Sequence, residues 1–309
     1  MKKINFNKFN SLISVMRYFN TEAICKQTLA ESQWKNNDVI CPKCGKHHCK
    51  MSKSGRYHCT ECNHNFSCTV GTIFHKSKIS LRQWFIAMYL ISSNKKGVSS
   101  HQLARDIEVT QKTARFMLQK IRKLYAQWDT EELSGTVEID EMYLGGAEKN
   151  KHESKKTEGT QGRSTKTKSA IFGMIERQGN LVAMKVTDTK ADTLMPIIKQ
   201  FIRENTTIYT DESASYIRLK KENYTHDYVR HNKKEFVVDD VFTNTIESFW
   251  SHFKKMVFGT YHSVSKKYLQ RYIDEEVYRW NTRKMSESAR FVDMLKKSLT
   301  RYDYKAVIA

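Results

Sequence analysis

The chain has 309 residues, 39% of them hydrophobic, which excludes a globally disordered protein and allows two or three packed domains. Its 53 Lys and Arg residues outnumber 33 Asp and Glu residues, and the resulting formal net charge of +20 favours a polyanionic partner. No stretch approaches the run of about 18 apolar residues that a membrane helix needs, so nucleic acid is favoured over a membrane. The alternative is a merely soluble basic protein.

Cysteine usage bears on the cellular compartment. The chain has seven cysteines, an odd number, and four of them form two Cys-x-x-Cys pairs. This pattern favours metal ligation in a reducing compartment over a disulfide framework. Residues 1–8 lack the apolar core of a signal peptide, so we expect a cytoplasmic protein.

The first 34 residues predict helices. Phe9, Leu12 and Met16 recur at helical spacing, and Asn20 or Thr21 is placed to cap a second helix. We expect this segment to pack against the neighbouring part of the chain rather than to catalyse. It belongs to a predicted first domain, residues 1–78.

The two cysteine pairs have the spacing C-x2-C-x14-C-x2-C, with Gly45 and Asn63 placed for a tight turn after each pair. Four thiolates so arranged predict a tetrahedral Zn²⁺ site, structural because no coordination position stays open for chemistry. The alternative, four ordinary buried cysteines, does not need the paired spacing. Cys25 and Cys68 are expected to be plain buried thiols. The predicted zinc ligands are Cys41, Cys44, Cys59 and Cys62.

A second predicted domain, residues 79–130, has the pattern of a helix-turn-helix. Ser99 or Ser100 is placed to cap one short helix and Thr110 to cap the next. A three-helix bundle without DNA contacts has a similar pattern. On the second helix, burial is predicted for Phe116, Leu118 and Ile121. The residues predicted to reach a DNA groove are Gln111, Lys112, Arg115 and Gln119.

Residues 133–309 predict a third domain of the α+β class with a mixed sheet. Within it, residues 147–169 contain no large apolar side chain and carry seven Lys or Arg against three Glu. They predict a mobile basic loop, which either closes on DNA phosphates or is a solvated loop without a function. The predicted strands are residues 136–144, 170–176, 181–186 and 208–211, with a weaker one near Tyr228. Residues 177–180, Arg-Gln-Gly-Asn, predict a hairpin turn between the second and third of these strands. The predicted helices are residues 192–202 and the C-terminal region.

Three carboxylates are placed where separate elements can bring them together. Asp140 and Asp211 follow β-type runs, and Glu247 opens a later helix. Cleavage of a phosphodiester is catalysed by two Mg²⁺ (or Mn²⁺) ions about 3.5–4 Å apart, which hard carboxylate oxygens hold. The sequence therefore predicts these three residues as catalytic metal ligands. Lys254 and Lys255, near Glu247 on the same helix, are predicted phosphate contacts.

Each carboxylate also has a structural interpretation. Asp140 shares a strand face with Glu138 and is an exposed charge in that interpretation. Asp211 could cap the helix that comes after it. Glu247 lies three residues after Asn244, the spacing of a capping box.

Several motifs occur together along nearly the whole chain. They are Cys-Pro-Lys-Cys-Gly at 41–45, Gly-Thr-Ile-Phe at 71–74, Val-Glu-Ile-Asp-Glu-Met-Tyr-Leu-Gly-Gly at 137–146, Asn-Thr-Ile-Glu-Ser-Phe-Trp at 244–250 and Tyr-Arg-Trp-Asn-Thr-Arg at 278–283. This combination resembles bacterial insertion-sequence transposases, which pair an N-terminal zinc ribbon with a DDE-type, RNase H-like catalytic core.

By that resemblance Asp140, Asp211 and Glu247 match the family's metal-binding triad. Some relatives have Asn at the third position, whereas this chain keeps Glu. The resemblance implies metal-dependent cleavage at the ends of a mobile element, followed by attack of the freed 3′-hydroxyl on target DNA. The implied partners are double-stranded DNA, as terminal inverted repeats and target, and a second protomer in a synaptic complex. It also implies a bacterial cytoplasmic protein that associates with the nucleoid when bound to DNA.

Two other functions remain open. A non-catalytic DNA-binding regulator would use the zinc ribbon and helix-turn-helix, with the remaining residues as a dimerisation domain. A structure-specific nuclease would cut DNA without rejoining it.

Overall fold

The computed structural model describes residues 9–34, 36, 38–52, 55–126, 132–146, 152–157, 164–229 and 241–299. The chain divides into two compact units, Met1–Gln127 with Lys284–Ala309, and Trp128–Arg283. The three predicted domains are a different division and stay a prediction. Among the described residues, no helix is both long and apolar enough to cross a bilayer.

Within the described residues, the helices are α1 (Leu12–Tyr18), α2 (Glu22–Gln33), α3 (Leu81–Ser93), α4 (Ser100–Asp106), α5 (Gln111–Tyr125), α6 (Ala191–Phe201), α7 (Asn244–Met256), α8 (Leu269–Asn281) and α9 (Glu287–Lys297). The strands are β1 (Cys49–Met51), β2 (Tyr57–Cys59), β3 (Asn65–Phe66), β4 (Thr136–Leu144), β5 (Ser169–Glu176), β6 (Leu181–Val186), β7 (Thr207–Asp211) and β8 (Thr225–Val229).

Helices of the first unit begin where hydroxyl side chains satisfy free backbone N–H groups. Thr21 accepts from the N–H of Ile24 at the start of α2, and Thr110 accepts from that of Thr113 at the start of α5. Both caps were predicted. An aromatic core joins the helices: Phe9 meets Phe291 of α9 with ring centroids 5.6 Å apart. The C-terminal helix α9 thus packs in the first unit.

The first unit also contains a small antiparallel sheet in the order β1-β2-β3. Tyr57 packs on Trp34 with ring centroids 4.9 Å apart and stacks on Phe66 at 5.7 Å. These few aromatic contacts are a small core for so short a sheet, so a further stabilising element is needed.

The second unit is built on a five-stranded sheet in the order β6-β5-β4-β7-β8. β4, β5 and β6 pair antiparallel, whereas β4 pairs parallel with β7 and β7 parallel with β8. The predicted mixed sheet is therefore confirmed, and so is the predicted hairpin between β5 and β6. Alternate side chains enter two cores, one on each face of the sheet.

Helix α7 covers one of those faces. Its apolar residues recur every three or four positions and are buried as a stripe, which holds the helix against β4 and β5. The stripe comprises Ile246, Phe249, Trp250, Phe253 and Met256. This packing places the first turn of α7 beside the centre of the sheet.

Candidate active site and zinc centre

Asp140 and Asp211 lie side by side on neighbouring strands. In the parallel register of β4 and β7, Glu138 is opposite Tyr209, so two residues further on Asp140 is level with Asp211. β7 ends at Asp211, whereas β4 continues to Leu144 beside β5. The predicted strand 136–144 is therefore confirmed, and Asp140 lies in its middle, beside the point where β7 ends.

A third carboxylate joins this pair. Within the described residues, oxygen atoms of Asp140, Glu141 and Asp211 all lie within 4.8 Å of one another. Glu141 comes after Asp140 on the other face of β4 and accepts a hydrogen bond from the hydroxyl of buried Tyr216. We call Asp140, Glu141 and Asp211 the acidic cluster.

The acidic cluster concentrates negative charge in a partly desolvated place. Burial, together with the charges of Glu141 and Asp211, raises the pKa of Asp140 to about 7. One oxygen of Asp211 accepts the backbone N–H of Ser213 at 3.0 Å, which fixes the turn after β7. Hard oxygen donors crowded in this way fit a divalent cation such as Mg²⁺ or Mn²⁺.

Trp250 of α7 orients Asp140 from above the sheet. Its indole Nε1–H donates to Oδ2 of Asp140 at 3.0 Å. The indole reaches the sheet because Gly173, opposite Asp140 on β5, has no side chain. A Cβ atom at position 173 would lie 2.7 Å from two carbons of the Trp250 ring. The absent side chain therefore sets where this indole, and through it the Asp140 carboxylate, is held.

We expect Gly173→Ala to displace the indole of Trp250. Overpacking of this kind costs about 1–3 kcal/mol, so the midpoint of urea unfolding should fall. The hydrogen bond to Asp140 should be lost as well, which should lower the activity proposed below. Gly146→Ala is the matched control, because a Cβ atom there meets nothing within 4 Å. Equal unfolding midpoints for the two variants would contradict this account.

Glu138 attaches the start of α7 to the sheet. It is fully buried, and its Oε2 accepts the backbone N–H groups of Thr245 at 2.9 Å and Ile246 at 3.1 Å. Its Oε1 accepts from Nε of Arg177 at 2.9 Å. A carboxylate at a helix N-terminus satisfies free N–H groups and interacts favourably with the helix dipole. Glu138 thus fixes the position of the turn that carries Glu247.

We expect Glu138→Ala to lower the free energy of unfolding by about 3 kcal/mol, because it removes the buried carboxylate that accepts from two helix N–H groups and from Nε of Arg177. Glu204→Ala removes an exposed carboxylate of the same unit and should change the free energy of unfolding by less than about 0.5 kcal/mol. Urea unfolding of the three proteins measures the difference. Similar values for both variants would show that Glu138 does not anchor α7.

Glu247 lies apart from the acidic cluster. It is exposed in the first turn of α7, and its Oε1 accepts from the Thr243 hydroxyl at 3.4 Å. The capping-box interpretation is wrong, because the N-cap is Thr243 rather than Asn244 and its side chain makes no cap hydrogen bond. The helix therefore begins one residue earlier than the capping-box interpretation requires.

The four predicted zinc ligands converge. Their sulfur atoms all lie within 4.8 Å of one another, with 3.6 Å between Cys41 and Cys62 and between Cys44 and Cys59. Zn–S bonds of about 2.3 Å in a tetrahedron separate sulfur atoms by about 3.8 Å, so the set fits Zn²⁺. The donor set is that of a structural site.

The local backbone shapes this zinc centre. Gly45 and Asn63 come after the two pairs with φ values of +72° and +50°, and so make the predicted tight turns. The backbone N–H groups of Cys62 and Glu61 lower the pKa of the Cys59 thiol to about 6, a state suited to metal ligation.

Cys25 and Cys68 are plain buried thiols, as predicted. Burial raises the pKa of Cys25 to about 12 and that of Cys68 to about 11.

The predicted groove-facing residues of α5 differ in exposure. Lys112 and Arg115 are exposed, and Gln111 is half-buried with its amide donating to the Ser100 hydroxyl at 2.8 Å. Gln119 is only 8% exposed and offers little surface to a groove. Phe116 was predicted to be buried but is 41% exposed. The exposed members of this predicted set, Lys112 and Arg115, therefore lie in the first half of α5.

Lys254 and Lys255 are exposed in the last turn of α7. Eleven of the 23 residues of the predicted basic loop lie outside the described residues. Of residues 147–169, positions 152–157 and 164–169 are described, and they include a short 3-10 helix, Glu153–Lys155.

Sequence reasoning missed Glu141 and treated Glu138 only as a neighbour on the strand. The available signal was the run Glu138-Ile-Asp-Glu141, which puts three carboxylates into a strand of otherwise apolar residues. Acidic side chains are rarely buried in a strand without a partner or a role.

Comparisons with known proteins agree with this architecture. Residues 132–281 match the model of the ISXO2-like transposase domain, and residues 20–65 match that of the transposase zinc-ribbon domain. A mixed sheet flanked by helices, with carboxylates at its centre, is the RNase H-like core that the sequence predicted.

Two relatives also match. The chain is 30% identical over 275 residues to an uncharacterised protein in transposable element ISH50 of Halobacterium salinarum, covering 84% of this chain and 90% of that protein. It is 25% identical over 112 residues to an uncharacterised transposase-like protein of Haemophilus influenzae, covering 36% of this chain and 89% of that one. The chain belongs to the family of ISXO2-like insertion-sequence transposases.

A chain of the Mos1 strand transfer complex is similar at 12% identity, with a TM-score of 0.28, over 66% of this chain and 75% of that chain.

Proposed function

We propose that the protein binds the terminal inverted repeats of its insertion sequence and catalyses metal-dependent cleavage of the DNA ends and strand transfer to target DNA. The main observation in support of this proposal is the acidic cluster, in which Asp140 and Asp211 lie opposite each other on adjacent strands. Both residues lie in the part of the chain that matches the transposase domain. The family match supports the activity, and the cluster supports the place of the chemistry.

Asp140 and Asp211 would hold the catalytic ions, and each is already oriented by a fixed donor. The indole N–H of Trp250 holds one oxygen of Asp140, and the N–H of Ser213 holds one oxygen of Asp211. Such hydrogen bonds orient metal ligands before the metal arrives. When bound, Mg²⁺ or Mn²⁺ would activate the attacking oxygen and balance the charge of the phosphate.

The third ligand has two candidates. Glu141 lies in the acidic cluster but already accepts from the Tyr216 hydroxyl. Glu247 lies on α7, which Glu138 and Trp250 join to β4 next to Asp140. We propose Glu247 as the third catalytic ligand, because it is exposed to an incoming substrate and matches the family triad. Glu141 would then influence the pKa of Asp140 from the opposite face of β4.

DNA binding is assigned to the first unit and to the exposed lysines of α7. Lys112 and Arg115 lie exposed on α5 and are the strongest candidates for a groove, together with Gln111. Lys254 and Lys255 would contact phosphates near the catalytic ions. Two protomers would hold the two ends of the element in one synaptic complex.

The test is a strand-transfer assay with oligonucleotides that carry the element's terminal repeats, in the presence of Mg²⁺. Joined products are expected both from intact ends and from ends already cleaved. Cleavage without joining would favour a nuclease, and sequence-specific binding without any cleavage would favour a regulator. In the same assay Glu247→Gln should abolish joining, whereas Glu141→Gln should only slow it. A larger loss of joining in Glu141→Gln than in Glu247→Gln would make Glu141 the third ligand.

A further inference from the structure

The first unit contains a cavity that is a second candidate site. A cavity of about 720 Å³ opens between residues 72–79 and the middle of α5. It has the size of pockets that take small organic ligands, about 300–1,000 Å³. Its walls combine aromatic rings with basic side chains, and no Asp or Glu is among the described residues that line it. Its chemistry therefore suits a ligand that is both aromatic and anionic.

The cavity contains a buried ammonium group. Lys120 is 5% exposed, and its Nζ donates to the carbonyl oxygen of Ile73 at 2.8 Å. In the described part of the chain this carbonyl is its one hydrogen-bond acceptor, and no carboxylate pairs with it. An ammonium has three N–H donors, and a buried charge without a counter-charge is costly. An anion in the cavity would supply what Lys120 lacks.

The surrounding charges have the same sign. His75, Lys76 and Lys78 also line the cavity, and all three are exposed. Burial and the charges of Lys76 and Lys120 lower the pKa of His75, as a positive local potential requires. Burial likewise lowers the pKa of Lys120. The positive potential at the opening of the cavity thus favours an anionic group.

An aromatic platform completes the site. The ring of Phe116 lies 5.1 Å from Nζ of Lys120, and that of Trp84 lies 5.9 Å from it. Phe116 is 41% exposed, next in sequence to Arg115 on the helix assigned to DNA. Stacking of a nucleobase on such a ring contributes about 1–3 kcal/mol and does not depend on the base.

We propose that this cavity binds one unstacked nucleotide of DNA, with its phosphate paired to Lys120 and its base stacked on Phe116. The proposal rests on the proposed function in taking DNA as the partner. It adds a contact beyond groove recognition, one that needs a nucleotide outside the double helix. Such a contact would favour repeat ends that are frayed or distorted over continuous duplex.

Photocrosslinking tests the proposal on the whole 309-residue chain, loaded with zinc, in the absence of Mg²⁺. A single-stranded oligonucleotide carrying one 5-iododeoxyuridine is irradiated, and the crosslinked peptide is identified by mass spectrometry. We expect the crosslink in the α5 peptide that contains Phe116. Crosslinks confined to other peptides would overturn the proposal. Because no Mg²⁺ is present, the result is independent of whether the protein cleaves or joins DNA.

Affinity measurements on the same oligonucleotide give a second readout. Lys120→Met should weaken binding about tenfold and reduce the slope of log K against log salt by about 0.7, the value for one phosphate contact on a single strand. Phe116→Leu, at a half-exposed position where folding tolerates change, should weaken binding by a similar factor at an unchanged slope. Lys95→Met is the control: Lys95 is exposed and does not line the cavity, so binding should change less than twofold. Equal affinities of all variants would overturn the proposal.

Competition identifies the source of the phosphate. A deoxynucleoside monophosphate should displace the oligonucleotide only weakly, and inorganic phosphate more weakly still, because neither carries the neighbouring phosphates of a strand. Tighter binding of the free nucleotide than of the oligonucleotide would overturn the DNA proposal in favour of a nucleotide-binding site.

Discussion

Asp211→Asn is expected to lower the rate of strand transfer on the order of a thousandfold while leaving the affinity for terminal repeats within about twofold. Asparagine keeps the volume of the side chain and an oxygen that can accept the N–H of Ser213, so the turn after β7 is preserved. The negative charge that the metal needs is removed. Gel assays of joined product with Mg²⁺, beside binding assays without it, separate the two effects.

Asp227→Asn provides the matched control for that experiment. Asp227 lies on the next strand, β8, level with Tyr209, and is exposed. Its replacement removes one negative charge from the same sheet without touching the acidic cluster. Loss of strand transfer in both variants would mean that net charge, rather than the position of Asp211, decides activity.

Cys59→Ala is expected to abolish stoichiometric zinc and to unfold the small sheet of β1, β2 and β3. Binding of structural zinc contributes about 10–16 kcal/mol in zinc-finger peptides, far more than the few aromatic contacts of this sheet can replace. Metal content by elemental analysis and protease sensitivity of residues 38–68 would both report the loss. DNA binding should weaken as well if the ribbon positions α4 and α5.

Cys49→Ala separates zinc ligation from the mere presence of a thiol. Cys49 begins β1, pairs with Cys59 across the strands, and is not among the four clustered sulfur atoms. One zinc ion per chain should therefore remain in this variant. Loss of zinc from Cys49→Ala as well would require a different set of ligands.

Local signals predicted much of this structure because they act over a few residues. The Thr21 and Thr110 caps, the hairpin before β6 and the turns at Gly45 and Asn63 each depend on chemistry within four positions of the chain. The convergence of the four cysteines was equally predictable from the sequence, because two Cys-x-x-Cys pairs at this spacing are typical of a structural zinc site.

Contacts between distant residues could not be read in the same way. Glu138 is fully buried because it meets the N-terminus of α7, more than a hundred residues later. Phe116 is exposed because the cavity opens beside it, which its helical periodicity does not reveal. Glu141 joins the acidic cluster because β7 ends where it does. These outcomes depend on strand register and helix placement, which are properties of the assembled sheet.

The contact between Gly173 and Trp250 has an evolutionary consequence. A Cβ atom at position 173 and an indole at position 250 cannot occupy the same space, so the two positions should not vary independently among relatives. Any homologue with a side chain at the position equivalent to 173 should carry a smaller residue than tryptophan at the position equivalent to 250. Such a homologue would also need another donor for the carboxylate equivalent to Asp140. An alignment of family members therefore tests, without any experiment on this chain, how the Asp140 carboxylate is held.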